Sequence, residues 1–252
     1  MRIATWNVNS LNVRLAHLLD WLRDAQPDVA CLQETKTEDA NFPVAELRAA
    51  GYEAVFCGQK GYNGVAILSR SPIADVAHGI PDFADDPKRC IHATINGIRV
   101  VCLYAPNGEA PGTDKYAYKL RWYEGLARWL SRLHLKDLAV LGDMNVAPED
   151  RDVHNPKRWE GKIHVSEPER AALRKVVDVG FADAFRLFAQ PEKSFSWWDY
   201  RLRAFERGWG LRIDLAMLGP ALAERCTGCT IDLAPRKRER PSDHAPVIVE
   251  IN

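Results

Sequence analysis

Short, wholly apolar runs are the feature that most constrains how this chain folds. Residues 29–32 (Val-Ala-Cys-Leu) and 138–141 (Leu-Ala-Val-Leu) contain no polar side chain. Such runs are typical of strands that are buried on both faces, because a strand with one solvent-exposed face alternates apolar and polar residues. We therefore expect both runs to form central strands of sheets that are covered by further layers.

Helical and hairpin patterns alternate with these strands. Leu15, Leu18, Leu19 and Leu22 at helical spacing predict one helix that stops at Pro27-Asp28, and further patterns predict helices at 43–50, 114–133 and 166–179. Asn96-Gly97, between two apolar runs, predicts a hairpin. Helical crossovers join parallel strands and tight turns join antiparallel strands, so we expect mixed sheets. Residues 72–88 are rich in proline and aspartate and are predicted to be an irregular connection.

No linker, repeat or low-complexity tract divides the 252 residues. We therefore expect a single domain spanning residues 1–252, in the α/β class. Two mixed sheets should pack face to face, with helices covering their outer faces.

Composition excludes some classes of function and leaves others open. Lys and Arg together number 34, as do Asp and Glu, so any attraction to phosphate must be local. No apolar run approaches the ~20 residues that span a bilayer, and the N-terminus lacks a signal sequence, so we expect a cytoplasmic protein without membrane contact. Cys226 and Cys229 have the spacing of half a zinc site but lack a second pair of ligands. We expect neither zinc there nor disulfides.

Polar side chains follow or begin many of the apolar strands. If these strand ends converge, carboxylate and amide oxygens would form a site that suits Mg²⁺ or Mn²⁺ better than softer metals. A phosphate-bearing substrate completes the coordination shell of such an ion, so the pattern predicts metal-assisted phosphoester hydrolysis. The residues are Asn7, Glu34, Tyr104, Asn107, Asp143, Asn145, Asp214, Asp243 and His244.

Four motifs resemble those of the exonuclease III family, which belongs to the endonuclease/exonuclease/phosphatase superfamily together with DNase I-like nucleases. They are residues 32–36 (Leu-Gln-Glu-Thr-Lys), 142–145 (Gly-Asp-Met-Asn), 210–214 (Gly-Leu-Arg-Ile-Asp) and 241–246 (Pro-Ser-Asp-His-Ala-Pro). Each motif alone is modest, whereas the ordered set is specific. The resemblance implies a four-layer α/β sandwich.

The resemblance also implies a metal site. Glu34 and Asp243 are expected to associate with Mg²⁺, for which Mn²⁺ could substitute, and Asn7 is expected to lie close to the ion. Asp143 resembles the group that orients or deprotonates the attacking water. The alternative role for Asp143, as a ligand of a second metal ion, stays open.

The remaining motif residues resemble groups that handle the phosphate. Asn145 and Asn107 are expected to hold phosphate oxygens or the water, and Tyr104 to contact the phosphate or the leaving oxygen. His244, oriented by Asp214, would donate to the developing charge. No Ser or Cys in the motifs is placed as a nucleophile, which favours direct in-line attack by water.

Duplex DNA is the expected partner, with abasic, nicked or 3′-blocked ends, and the enzyme is expected to be a monomer. Trp197, Leu211 and Ile213 resemble the lining of a pocket for a flipped abasic sugar or a 3′-terminal nucleotide. Lys36 and Arg89 are expected to grip DNA phosphates without reading bases.

His164 stands where abasic-site endonucleases of the family carry a smaller residue. Its ring could obstruct an internal abasic sugar and leave a frayed 3′ end accessible, or it could be a histidine of a surface loop. The balance between 3′→5′ exonuclease, 3′-phosphatase and abasic-site cleavage therefore stays open. A phosphatase for lipids or other small phosphoesters and a catalytically silent DNA-binding module are the alternative functions.

Overall fold

Two six-stranded sheets form the centre of this computed structural model, which describes residues 1–84 and 87–252. The strands are β1 (Arg2–Asn7), β2 (Val29–Gln33), β3 (Glu53–Cys57), β4 (Val65–Ser69), β5 (Ala74–His78), β6 (Cys90–Ile95), β7 (Ile98–Tyr104), β8 (Leu138–Asp143), β9 (Ala182–Asp183), β10 (Trp197–Trp198), β11 (Gly210–Leu211), β12 (Asp214–Leu218), β13 (Cys226–Ile231) and β14 (Val247–Ile251). The α-helices are α1 (Leu11–Ala25), α2 (Val44–Ala49), α3 (Asp114–Leu130), α4 (Pro156–Trp159), α5 (Glu167–Val177) and α6 (Pro220–Arg225).

Both sheets are mixed, as predicted. The first has the strand order β13-β14-β1-β2-β4-β3, and only its β1–β2 pair is parallel. The second has the order β5-β6-β7-β8-β12-β9, and only its β7–β8 pair is parallel. The predicted hairpin joins β6 to β7, where Ile95 pairs with Ile98 across Asn96-Gly97.

Three apolar clusters give the fold its layers. The inner faces of the two sheets meet in a cluster that includes Cys31 from β2 and Leu141 from β8. The outer face of the first sheet packs on α1 through Leu18, and that of the second packs on α3 and α5 through Leu126 and Leu173. Helix, sheet, sheet and helix are therefore stacked, which confirms the four-layer sandwich.

The prediction for residues 72–88 was partly wrong. Residues 74–78 form β5, a strand at the edge of the second sheet that is mostly exposed. Its sequence, Ala-Asp-Val-Ala-His, lacks the apolar alternation of a half-buried strand, and its pairing with β6 supplies the hydrogen bonds instead. Residues 85 and 86 of the same connection lie outside the described residues. The helix predicted to reach residue 133 ends at Leu130.

Strand register brings the polar strand ends to one edge of the sandwich. Asn7, the last residue of β1, pairs with Gln33, which is followed directly by Glu34. In the second sheet Asp143 lies between Tyr104 on one neighbouring strand and Asp214 on the other. The two parallel strand pairs thus deliver their carboxyl ends to a common site.

Candidate active site

Asn7 joins the two sheets at the centre of this site. Its buried amide Nδ2 donates to Glu34 Oε1 at 2.8 Å and to Asp143 Oδ2 at 2.9 Å. Its Oδ1 accepts from the backbone N–H of Asn9 at 3.0 Å, so the NH₂ group is the one that faces the carboxylates. Asn7 therefore holds two carboxylates of opposite sheets within reach of a common ligand.

Asp143 is a buried carboxylate that titrates near neutrality. Its Oδ1 accepts from the backbone N–H of Asn145 at 2.9 Å. Burial raises the pKa of Asp143 to about 7; the charges of Asp214 and Glu34 raise it further, and His244 opposes them. A carboxyl group with this pKa can accept and release a proton at physiological pH, which general base catalysis requires.

His244 is held by a carboxylate, as the resemblance implied. Its Nδ1 lies 2.9 Å from Asp214 Oδ2, and its Nε2 lies 3.8 Å from Asp143 Oδ2. Burial lowers the pKa of His244, but Asp214 and Asp143 outweigh it and raise the pKa to about 10. The ring is therefore an imidazolium at neutral pH, and it presents Nε2–H to the centre of the site.

The donor set of this site suits a hard divalent ion. Among residues 1–84 and 87–252, one group of His, Cys, Asp or Glu side chains has its ligand atoms within 4.8 Å of one another, and its members are Glu34, Asp143 and His244. The carboxylate oxygens of the first two match the preference of Mg²⁺. The imidazolium of His244 has no free lone pair, so it is not a ligand in this state.

Asp243 lies beside this group without joining it. Its Oδ1 accepts from Asn9 Nδ2 at 2.8 Å and its Oδ2 accepts from Trp197 Nε1 at 3.0 Å. Asn9 Oδ1 in turn accepts from Lys36 Nζ, at 2.5 Å. Asp243 thus connects the predicted metal site to the predicted sugar-binding wall, and its role as a metal ligand stays a prediction.

Tyr104 and the two asparagines lie on the second-sheet side of the site. Burial raises the pKa of the Tyr104 phenol well above its usual value, and the nearby Glu34 and Asp143 raise it further, so the phenol keeps its proton as a donor. Asn107 Nδ2 lies 3.4 Å from Asn145 Oδ1. Tyr104 and Asn145 therefore lie beside Asp143, where a phosphate and a water were predicted to bind, and Asn107 adjoins Asn145 on the exposed side.

His164 is buried in this site, so its interpretation as a surface histidine was wrong. The residue is 5% exposed, and its Nδ1 donates to the backbone carbonyl of Asn145 at 2.6 Å. Its ring centroid lies 6.0 Å from that of Trp197. Leu211 and Ile213 pack with Trp197 in one apolar cluster, but both are almost completely buried. Trp197 is therefore the half-buried member of this wall, and His164 and the two aliphatic residues are buried beside it.

The two predicted phosphate-binding cations flank the site differently. Lys36 Nζ lies 2.8 Å from Glu34 Oε2, so its ammonium belongs to the carboxylate cluster itself. The Arg89 guanidinium lies over the ring of Tyr104, with its Cζ 5.0 Å from the ring centroid. Arg89 thus adjoins the site through Tyr104, whereas Lys36 pairs directly with a carboxylate.

Sequence reasoning missed two serines that order the predicted catalytic groups. Ser196 Oγ donates to Asp214 Oδ2 at 2.6 Å, and Ser242 Oγ donates to the backbone carbonyl of Asn7 at 2.7 Å. The backbone N–H of His244 donates to Ser242 Oγ at 3.2 Å. Ser242 lies inside the motif of residues 241–246, and Ser196 lies beside Trp197, so proximity to the motifs was the only available signal.

Comparison with known proteins assigns the chain to a family. The Endonuclease/Exonuclease/phosphatase family matches residues 4–244. Exodeoxyribonuclease III of Haemophilus influenzae is 37% identical, over 99% of this chain and 99% of the relative. The chain belongs to this family. It is a nuclease, a hydrolase of the exonuclease III type.

Solved structures of this family agree in fold and differ in the activity they are named for. A 3′ phosphatase from Neisseria, bound to a product DNA hairpin, is 44% identical with a TM-score of 0.97, over 100% of this chain and 99% of that one. An AP endonuclease from Archaeoglobus fulgidus is 41% identical with a TM-score of 0.98, again over 100% and 99% of the two chains. Similarity alone therefore does not choose between the two activities. No helix among the described residues is long and apolar enough to cross a membrane.

Proposed function

We propose that this chain, as one domain over residues 1–252, is a Mg²⁺-dependent DNA-repair phosphodiesterase that acts on duplex DNA. It removes nucleotides and phosphate from 3′ ends and cleaves at abasic sites, by in-line attack of an activated water. The observation that carries the proposal is the facing pair of Asp143 and His244, a carboxylate with a pKa of about 7 and an imidazolium with a pKa of about 10. Monomeric state and cytoplasmic location belong to the same proposal.

Asp143 and His244 have opposite roles in the reaction, as proton acceptor and as hydrogen-bond donor. Asp143, steadied by Asn7 and Asn145, takes a proton from the water as the water oxygen bonds to phosphorus. His244 offers Nε2–H to the phosphoryl oxygen on which negative charge develops. The protonated phenol of Tyr104 donates to the phosphate or to the leaving oxygen, whose bond to phosphorus breaks.

Glu34 supplies oxygens that would hold Mg²⁺, Asp243 is proposed as a further metal-associated carboxylate, and Asp143 lies within reach of the same ion. The bound ion would neutralise charge on the phosphate and so lower the barrier to attack by water. Asp143 can serve either as base or as ligand from the same position. The Mg²⁺ affinity of an Asp143 variant separates the two roles, because loss of a ligand weakens the affinity and loss of a base does not.

DNA is favoured as the substrate by the wall that adjoins the carboxylates. Asp243 connects Trp197 to Asn9, so an aromatic surface for a sugar stands directly beside the site of hydrolysis. Arg89 beside Tyr104 and Lys36 beside Glu34 would contact phosphates of the backbone. The exodeoxyribonuclease name of the Haemophilus relative and the DNA hairpin bound by the Neisseria structure support the same substrate class.

Digestion of matched substrates tests the proposal. Duplexes that contain an internal abasic site, a nick or a 3′-phosphate are incubated side by side, with Mg²⁺ or with EDTA. We expect cleavage that is lost with EDTA and restored by Mg²⁺. Hydrolysis of a phospholipid or a sugar phosphate with no action on any duplex would overturn the assignment to DNA. Binding of DNA without hydrolysis would instead indicate a silent module.

A finer proposal concerns the balance of activities. His164 stands 6.0 Å from Trp197 across the wall of the sugar pocket, by which we mean Trp197, Leu211, Ile213 and His164. A fixed imidazole there would narrow the space for an internal abasic sugar and leave a frayed 3′ end accessible. We therefore propose strong 3′-phosphatase and 3′→5′ exonuclease activities and weaker abasic-site cleavage.

His164→Gly tests this narrower proposal. Removal of the ring should increase incision of an abasic duplex relative to the wild type, because the pocket gains the volume of an imidazole. Absence of any gain in incision, in a variant that still removes 3′-phosphate, would contradict an obstructing role.

A further inference from the structure

A buried ion pair lies beneath the loops that carry Asn107, Asn145 and His164. Lys119 on α3 and Glu169 on α5 are both completely buried and form this pair with each other. The cost of desolvating two charges largely offsets their attraction, so a buried pair contributes little net stability compared with apolar packing. The function of the pair is therefore better judged from the backbone groups to which the two side chains hydrogen-bond than from their mutual attraction.

Lys119 holds the backbones of both phosphate-side asparagines. Its Nζ donates to the backbone carbonyl of Asn107 at 3.0 Å and to that of Asn145 at 2.7 Å. The aliphatic part of Lys119 also packs closely against Gly108, where an added Cβ would lie 2.9 Å from Lys119 Cδ. One ammonium thus fixes the separation of two loops that are far apart in sequence.

Glu169 holds the loop of His164. Its Oε1 accepts from the backbone N–H of His164 at 3.0 Å, and its Oε2 accepts from Ser166 Oγ at 2.5 Å. His164 has a φ of 71°, a left-handed conformation that non-glycine residues adopt only when their surroundings impose it. The carboxylate of Glu169 is one of the contacts that impose it.

The same network fixes the His164 ring. The carbonyl of Asn145 accepts from both Lys119 Nζ and His164 Nδ1, so Nδ1 carries the proton and Nε2 has the lone pair. That lone pair faces Asn107 Nδ2 at 3.5 Å. Burial lowers the pKa of His164 to about 3, with a further lowering from the charge of Lys119, so the ring is neutral.

We propose that the Lys119–Glu169 pair is a positioning device that determines specificity, because it keeps the His164 ring in the sugar pocket and the two asparagines at the phosphate. This inference rests on the proposed function. When the pair is broken, the displaced asparagines slow all reactions, and the released ring admits an internal abasic sugar. For abasic incision, the displaced asparagines lower the rate while the released ring raises it. For removal of a 3′-phosphate, only the lowering by the displaced asparagines applies.

Lys119→Met tests the proposal through a ratio of activities. Turnover on a 3′-phosphate duplex should fall ~10-fold, since displacement of a group by about an ångström has effects of this size or larger. The ratio of abasic incision to 3′-phosphate removal should rise several-fold. Lys119→Arg, which keeps the charge, should restore the wild-type ratio in part. Lys115→Met is the matched control, because Lys115 lies on the same helix with an exposed side chain, and it should change neither activity.

The His164→Gly background shows whether the pair acts through the ring. There, Lys119→Met should leave the ratio unchanged, because no ring remains to be released. An equal fall of both activities in the wild-type background, with the ratio constant, would overturn the proposal and reduce the pair to a structural role. If Lys119→Met does not fold, Glu169→Gln, which keeps the shape of the side chain, must give the same rise in the ratio or the proposal is wrong. Failure of the proposed function is distinguishable, because the wild type would then act on no duplex.

Discussion

Two buried clusters of charge lie next to each other in this enzyme, and only one of them has the properties of a catalytic site. Arg212, 1% exposed, is bound by Asp152 and Asp183. Two residues later, Asp214, also 1% exposed, binds His244. Burial and ion pairing are therefore common to both clusters and do not distinguish them.

The difference is in how completely each carboxylate is neutralised. Asp152 accepts from Arg212 at Nε (2.6 Å) and at Nη2 (3.3 Å), and it also pairs with Arg186. Burial opposes the charge of Arg212, but Asp183 and Asp152 outweigh it and raise the pKa of the guanidinium. The Arg212 guanidinium therefore keeps its proton at physiological pH.

The catalytic cluster has an excess of carboxylates instead. Asp143, Asp214 and Glu34 surround a single imidazolium, and of these three carboxylates Glu34 is the one that pairs with the ammonium of Lys36. The unneutralised charge and the burial together give Asp143 a pKa of about 7. The comparison indicates that an unbalanced buried cluster, rather than a buried cluster as such, marks the place where protons are exchanged.

The largest effect on turnover is expected from the unbalanced cluster. Asp143→Asn and His244→Asn should each reduce turnover at least ~100-fold, because each removes a general acid–base group. Circular dichroism should show an intact fold. Titration of Mg²⁺ by calorimetry sharpens the result for Asp143. Unchanged affinity indicates a base, and weakened affinity indicates a ligand. Near-normal turnover in a folded variant would contradict the assignment.

A smaller effect is expected when the imidazolium loses its partner. Turnover of the wild type should fall below pH about 7, where Asp143 gains a proton, and above pH about 10, where His244 loses one. Asp214→Asn removes the charge that raises the pKa of His244, so the alkaline limb should move to lower pH and turnover at pH 7 should fall ~10-fold. A pH–rate profile measures both. An alkaline limb that stays in place would show that another group controls it.

The balanced cluster should respond in stability rather than in turnover. Asp152→Asn leaves Arg212 and Arg186 with one buried carboxylate fewer, which should cost about 3 kcal/mol in the free energy of unfolding. Turnover of the folded protein should stay within about 3-fold of the wild type, because the guanidinium at the centre of this cluster keeps its proton and cannot act as an acid or a base. Urea unfolding and steady-state kinetics provide the two numbers. A large loss of turnover without loss of stability would remove the distinction between the clusters.

The smallest effect on turnover is expected from a charge outside both clusters. Arg89→Ala should weaken DNA binding and reduce the slope of log Kd against log salt by about 1, since one phosphate contact is lost. Turnover at saturating DNA should be unchanged. Fluorescence anisotropy at several salt concentrations measures the slope. Lys136→Ala serves as the control, because Lys136 lies just before β8, at the opposite end of that strand from Asp143.

The sequence was sufficient for the parts of the site that lie at strand ends. Asn7, Glu34 and Asp143 could be placed because apolar strands end just before or at them and the motifs keep a fixed order. The burial of His164 could not be predicted, because it depends on the carbonyl of Asn145, which only the fold brings near. Lys119 carried no signal at all, since a lysine on an amphipathic helix is ordinarily expected in solvent.

An edge strand and an ion pair between two helices also could not be predicted from the local sequence pattern. β5 was missed because its composition, with Asp75 and exposed alanines, is that of a loop. The capping box of Ser166 and Glu169 was recognised, but it predicted only the start of a helix. That the same glutamate would reach Lys119 depends on how α3 packs against α5, which a local pattern does not contain.

The pairing of β1 with β14 has a consequence for the order in which this nuclease becomes active. Almost the whole chain separates these two strands, and contacts so distant in sequence form late in folding. Until they form, Ser242 cannot bind the carbonyl of Asn7, and His244 is absent from the site. A half-folded molecule should therefore be harmless to DNA even after its second sheet has assembled. Refolding followed in parallel by circular dichroism and by DNA cleavage should show secondary structure returning first and cleavage last.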